Sequence, residues 1–314
     1  MTSRAELSRN RENTSSLHKK LLRIKYDKVL YLMLLPTIVY FIIFRILPIY
    51  NMRLAFYDFH TKRPWSWAGI KYFRQIFKSP AFWEILKNTL IISFQKYVLL
   101  FPVFPIFAIL LNELKSDRMR KYVQVVSYLP HFLSWVVVAG IWIAFLSPRY
   151  GAVNQIITFF GGTPVDFMQS KGWIRWILML CEGWRSLGWT SIIPFTAILS
   201  IENALFEAAE IDGANRLQKI IYIILPALVP TMATMFILNL GYFLNAGFDQ
   251  VYNFTNNSVN SVIDILDTYI NRLGIEQGQY SLGTAVGLMQ GVVGIALVMV
   301  THFASKRATG KGVW

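Results

Sequence analysis

Residues 201–226 read Ile201-Glu202-Asn203-Ala204-Leu205-Phe206-Glu207-Ala208-Ala209-Glu210-Ile211-Asp212-Gly213-Ala214-Asn215-Arg216-Leu217-Gln218-Lys219-Ile220-Ile221-Tyr222-Ile223-Ile224-Leu225-Pro226. The part from 201 to 222 is too polar to cross a bilayer, yet long apolar stretches flank it on both sides. Two short helices are predicted here. Asn203 can cap the first, Leu205, Ala208 and Ala209 give it an apolar face, and Gly213 can supply the left-handed residue that stops it. The second is expected to start at Asn215, with Gln218 three residues on as in a capping box. The pattern predicts a helix-turn-helix at a membrane surface with small residues on one side, where a partner can approach closely.

Working outward, a span needs about 20 apolar residues, and six stretches meet that need, roughly at 29–49, 88–111, 122–146, 173–200, 223–247 and 283–303. No small-residue cleavage site follows the first, so it reads as a retained span and not a signal peptide. Of the 314 residues 54% are hydrophobic and only 15% charged, with a mean hydropathy of +0.42. A soluble domain averages about 25% charged. This composition excludes disordered and disulfide-scaffold classes, and the single cysteine, Cys181, reads as a small packing residue. A net charge of +14 could point to nucleic acid in a soluble protein, but beside six spans it reads as cytoplasmic anchors, with no nucleic acid as partner.

The tail 1–28 carries Arg4, Arg9, Arg11, Lys19, Lys20, Arg23, Lys25 and Lys28, which places it in the cytoplasm. Six spans return the C-terminus to that side, in keeping with Lys306, Arg307 and Lys311 and with Lys115, Arg118, Arg120 and Lys121 between spans two and three. The segment 50–87 is basic on the opposite side. It is also aromatic-rich, so part of it is expected to lie along the interface as a short amphipathic helix. Pro36, Pro48, Pro102, Pro105, Pro130, Pro194, Pro226 and Pro230 punctuate the spans. Freed carbonyls at such depth are tolerated only beside other helices or a watered cavity.

The spacing Glu207-Ala208-Ala209, three residues, Gly213, nine residues, Ile223-x-Leu225-Pro226 resembles the EAA signature of permease subunits of binding-protein-dependent ATP-binding-cassette importers. Tyr128-Leu129-Pro130-His131-Phe132-Leu133-Ser134-Trp135, Ala55-Phe56-Tyr57-Asp58-Phe59 and the closing Gly312-Val313-Trp314 are similar to the carbohydrate branch. Within it they look most like permeases grouped with aldouronate and complex-oligosaccharide importers of Gram-positive bacteria. The resemblance implies an all-α membrane protein of the type I importer permease fold: a basic tail (1–28), then a six-helix permease domain (29–314) with the coupling loop at 201–226. It implies no catalysis in this chain, which has no G-x-x-x-x-G-K-[S/T] loop. ATP and magnesium would sit on a cytoplasmic ATPase dimer, with a homologous second permease and an extracellular lipid-anchored sugar-binding protein as the other partners. The setting would be a bacterial plasma membrane with both termini in the cytoplasm.

Charges within spans are costly and usually functional. Glu182 and Arg185 are spaced to pair along span four. Alternatively Glu182, Ser186 and Trp189, at i, i+4 and i+7, form a polar and aromatic stripe facing a pathway, the alternative that the family resemblance favours. Span five offers a second stripe, Asn239, Tyr242 or Phe243, and Ala246, with Asn245 and Phe248 beside it and Phe243 the ring preferred, giving amides for sugar hydroxyls and a ring for the pyranose face; interhelical bonding by the asparagines is the plainer alternative. Gly283, Gly287 and Gly291 in span six read as a packing seam. His131 has no second His or Cys at ligand spacing, so no metal site is expected. Two other functions compete. A membrane-embedded sugar or lipid transferase needs an acidic or His cluster at a span mouth, whereas Asp249, Asp264, Asp267 and Glu276 are spread out. A self-sufficient secondary transporter usually shows inverted repeats and coupling acids. Import of a solute other than sugar is the nearer alternative.

Overall fold

A computed structural model describes residues 27–309, so the tail 1–26 and the closing Gly312-Val313-Trp314 lie outside the described residues. Two compact units are distinguished, 1–54 and 55–314. Most of α1 (Lys28–Phe56), a long apolar helix that runs through Pro36, belongs to the first, and its last two residues belong to the second.

The second unit continues with a two-residue antiparallel ladder, β1 (Tyr57–Asp58) with β2 (Ser66–Trp67), in which Tyr57 faces Trp67. The amphipathic helix expected in 50–87 follows as α2 (Lys71–Lys78), which buries Ile76 and turns Tyr72 and Phe73 partly inward. Then come α3 (Pro80–Asn112), α4 (Asp117–Phe132), α5 (Trp135–Phe145), α6 (Ala152–Phe159), α7 (Ile174–Leu199), α8 (Asn203–Ile211), α9 (Arg216–Leu240), α10 (Phe248–Phe254), α11 (Asn260–Ile263), α12 (Leu266–Asn271) and α13 (Tyr280–Thr309). Among the described residues four helices are long and apolar enough to cross a membrane, or six if each bent pair counts as one span.

Span three is one such pair, not the continuous helix that 122–146 suggested: α4 and α5 meet at 106°. Pro130 sits in a tight turn over Leu129–Phe132, Leu133 is extended, and the Ser134 hydroxyl accepts from Val137 N at 3.4 Å to start α5. Span five also departs from expectation. The second of the two short helices does not end; α9 runs from Arg216 straight into the span and stops at Leu240, leaving 241–247 unwound where a span to 247 was expected.

Three buried clusters hold the second unit together. One joins Ile92 of α3, Ile174 to Cys181 of α7 and Val251 of α10; a second joins Ile85, Leu244, Leu266 and Leu282. The third, toward the other end of the bundle, joins Ala108 and Leu111 of α3, Phe195 and Ile198 of α7, and Ile224 and Leu228 of α9. Along α3 and α7 the apolar clusters leave a middle stretch unfilled, and on α9 only the third cluster is represented. Close helix approach is marked by glycine: a Cβ on Gly188 would lie 2.5 Å from the Ser127 carbonyl, and one on Gly294 2.9 Å from Gly241 O. Of the seam expected on span six, a Cβ on Gly283 would lie 3.3 Å from Gly274 and one on Gly287 3.8 Å from Ile270, whereas Gly291 meets nothing within 4 Å.

Candidate functional site

The unfilled middle stretch is a cavity of about 190 Å³, lined by Lys96, Tyr97, Leu100, Phe101 and Phe104 of α3, Glu182, Ser186 and Thr190 of α7, and Asn239, Asn245, Ala246 and Gly247 of span five. Glu182 is eight residues into α7, so at about 1.5 Å per residue it lies some ~12 Å along the helix. Both walls that bound the cavity are irregular. A wide turn at Gln95–Leu99 in α3 carries Lys96 and Tyr97, and opposite it stands the unwound 241–247. Non-helical backbone at this depth is tolerated where it is buried in protein or lines a cavity.

Glu182 and Ser186 come together, with the Ser186 hydroxyl donating to Glu182 Oε1 at 2.5 Å. The Glu182–Arg185 pair does not form. Arg185 turns to the break in span three, donating to His131 O at 3.1 Å and Leu133 O at 3.4 Å, with its guanidinium 4.7 Å over Trp135. Trp189 is not a lining residue: it stacks flat on His131 at 4.4 Å, and Thr190, two turns on from Glu182, takes that edge of the cavity. Phe243 packs beside Tyr97, ring centres 6.1 Å apart, and against the second cluster, so it too stands behind the lining. Asn239 and Asn245 both line it. Lys96 is the residue that sequence reasoning missed: only 8% exposed, it donates to Ala246 O at 2.5 Å.

The second feature is the turn after α7. Glu202, not Asn203, occupies the cap of α8, and no side chain bonds there. Gly213 has φ +75° and nothing within 4 Å of an added Cβ, while Ala214 N donates to Ala209 O at 2.8 Å to close the turn. The capping box is present: Asn215 N to Gln218 Oε1 at 2.7 Å and Gln218 N to Asn215 Oδ1 at 3.0 Å. Lys219 donates to Glu210 at 2.6 Å across the turn and holds that carboxyl below the ordinary glutamate value. One side of the pair rests on the third cluster through Phe206 and Ile220. The other leaves Leu205, Glu207, Ala208 and Ile211 exposed, Ile211 at 87%. Of the remaining EAA positions, Ile223 is half-buried and lies in a wide turn, Ile220–Ile224. Leu225 N reaches back to Ile220 O ahead of Pro226, which has no N–H to give.

Broken spans around a polar cavity, with an exposed, latched helix-turn at one end, are the arrangement of an α-helical membrane permease. The chain belongs to the family of binding-protein-dependent transport system inner membrane components, whose family pattern matches residues 101–307. It is 37% identical over 300 residues to the polygalacturonan/rhamnogalacturonan transport system permease protein YteP of Bacillus subtilis (strain 168), covering 94% of this chain and 92% of that one. The galactooligosaccharides transport system permease protein GanP of the same organism is 28% identical, over 83% of this chain and 66% of its own. A chain in the crystal structure of a bacterial ABC transporter involved in the import of the acidic polysaccharide alginate is 38% identical with a TM-score of 0.85, over 93% of this chain and 99% of that one. The alginate transporter in complex with its alginate pentasaccharide-bound periplasmic protein matches at 37% identity and the same TM-score, over 93% and 98%.

Proposed function

We propose that this chain moves an oligosaccharide, handed over by an extracellular lipid-anchored binding protein, through the cavity between α3, α7 and α9 into the cytoplasm. Fragments of acidic polysaccharides are the cargo to try first, because relatives on two sides handle such polymers. Hydrolysis of ATP takes place on a separate cytoplasmic ATPase pair, which holds the nucleotide and its magnesium. A homologous second permease completes the membrane pathway, both termini of this chain lie in the cytoplasm, and the assembly sits in a bacterial plasma membrane.

One observation carries this reading: four polar side chains proposed for the pathway from sequence, Glu182, Ser186, Asn239 and Asn245, line one cavity at mid-height of the bundle. Their carboxylate, hydroxyl and amides suit sugar hydroxyls, and the small volume suits passage of a chain end more than tight capture. At the other end, Leu205, Ala208 and Ile211 offer a small apolar face to the ATPase, and the Gly213 turn with the Glu210–Lys219 latch makes α8 a short lever on α9. The test is co-purification of this chain with candidate ATPase, permease and binding protein, followed by ATP hydrolysis with and without sugar. Stimulation by a uronate-bearing oligosaccharide is expected; stimulation only by a non-sugar solute would overturn the cargo class.

A further inference from the structure

Residues 244–246 present three successive backbone carbonyls at the break in span five, and each is met by a side chain, two from α3 and one from α13. Gln290 of α13 donates to Leu244 O at 2.9 Å, Tyr97 donates to Asn245 O at 3.2 Å, and Lys96 donates to Ala246 O at 2.5 Å. The same Gln290 Nε2 lies 2.5 Å from Asn245 Oδ1 and 2.9 Å from Asp267 Oδ1, its two N–H groups being shared among the three acceptors, which ties the segment to α12.

An ammonium at this depth ordinarily pairs with an acid. Glu182 shares the cavity with Lys96, yet no ion pair with Lys96 occurs among the described residues; the carboxylate is engaged by Ser186 instead. The cation is instead held by a backbone acceptor of the unwound segment, Ala246 O. The loop is shaped around it: Gly247 has φ +98°, and a Cβ there would lie 3.0 Å from Lys96 Nζ. Arg185 does the same for the break in span three, through His131 O and Leu133 O. In both cases a cation inside the bundle serves broken backbone.

We propose that Lys96, together with Tyr97, is a positioning residue that holds the unwound segment 244–247 as one wall of the cavity, acting on cargo only through that segment. Its bond to Ala246 O is charge-assisted and stronger than a neutral one, so the wall keeps its shape while α9 is driven from the α8 end. This rests on the cavity being the sugar route.

The experiment uses the full complex with its partner permease, ATPase and binding protein in vesicles. Two quantities are read: ATP hydrolysed per sugar moved, and the rate at which a membrane-impermeant maleimide labels Asn245→Cys, which needs no sugar. Lys96→Met should raise both about tenfold. Lys96→Arg, which keeps charge and donors, should restore both to within about threefold, and Tyr97→Phe, which loses one neutral bond, should give about a threefold change. Gly247→Ala attacks the contact from the loop side and should behave like Lys96→Met. A merely structural role would lower hydrolysis and transport together and leave their ratio unmoved, which would overturn the proposal. Wild-type labelling in Lys96→Met and Gly247→Ala would overturn it too. Should Lys96→Met fail to assemble, unchanged labelling in both Tyr97→Phe and Gly247→Ala would overturn it equally. A wild-type complex that moves no oligosaccharide would refute the route, while labelling would still decide the role of Lys96.

Discussion

Replacing Gly213 isolates the backbone requirement of the coupling turn from every other effect. Its φ is +75° and an added Cβ meets nothing within 4 Å, so a substitution there changes no contact. The cost is conformational alone, about 1–2 kcal/mol for an L-residue in the left-handed region. That amounts to about a 5- to 30-fold loss in the population of the native turn. Gly213→Ala should therefore insert into membranes at wild-type levels yet bind the ATPase correspondingly weaker, because α8 no longer sits at one angle to α9. Gly213→Asn is the control, since asparagine tolerates the left-handed region far better than alanine. The assay is ATPase retained per permease after purification, together with stimulation of hydrolysis by sugar-loaded binding protein. Full retention and stimulation in Gly213→Ala would refute the reasoning, and so would equal loss in the Ala and Asn variants.

Gly188→Ala makes the opposite kind of change: its Cβ would lie 2.5 Å from the Ser127 carbonyl, so α7 and α4 must part. The expected cost is about 1–3 kcal/mol, read as a lower Tm of the purified complex; an unchanged Tm would contradict the close crossing. Arg185→Met should strip the donors from His131 O and Leu133 O at about 1–3 kcal/mol for each carbonyl left unpaired. Glu182→Gln should leave Tm nearly unchanged, because the two side chains form no pair; equal destabilisation by both variants would restore the ion-pair reading. Asp58 accepts from the Tyr72 hydroxyl and from Lys71, and these hold its carboxyl below the ordinary aspartate value. With the folded value depressed, this stabilisation is present above the ordinary value and is lost as pH falls through and below it. A Tm series from pH ~6 to ~3 should fall less steeply in Asp58→Asn than in wild type, and parallel curves would exclude Asp58 as a contributor.

The elements with strong local signals were legible from the chain alone. Apolar length marks the spans, Gly213 and the Asn215 to Gln218 spacing mark the coupling turn, and both follow from short-range rules. Breaks were harder, because what decides them lies elsewhere in the fold. Pro130 and Ser134 hint at the bend in span three, but the bend is stable because Arg185, some fifty residues later, satisfies the freed carbonyls. The unwound stretch after α9 is likewise met from elsewhere in the fold, at its 244–246 carbonyls, by Lys96, Tyr97 and Gln290. Lys96 carries a visible signal, a lone cation within the apolar stretch 88–111, but nothing local to it shows that its partner is a backbone carbonyl 150 residues later. Trp189 shares a helical face with lining residues and Phe243 falls where a continued helix was expected, and spacing alone cannot tell a ring that lines a cavity from one that packs beside it.

Whether cargo passes between α3, α7 and α9 is tested most directly by blocking that space. Ser186 is 9% exposed and lines the cavity, and the native Cys181 is fully buried at 0% exposed, so a bulky thiol reagent should find only the cysteine of Ser186→Cys. The measurement is ATP-driven uptake of a labelled uronate-bearing oligosaccharide into vesicles before and after labelling. Uptake should be abolished in labelled Ser186→Cys and untouched in labelled wild type, with the complex still assembled. Undiminished uptake by fully labelled Ser186→Cys would place the sugar route elsewhere in the bundle.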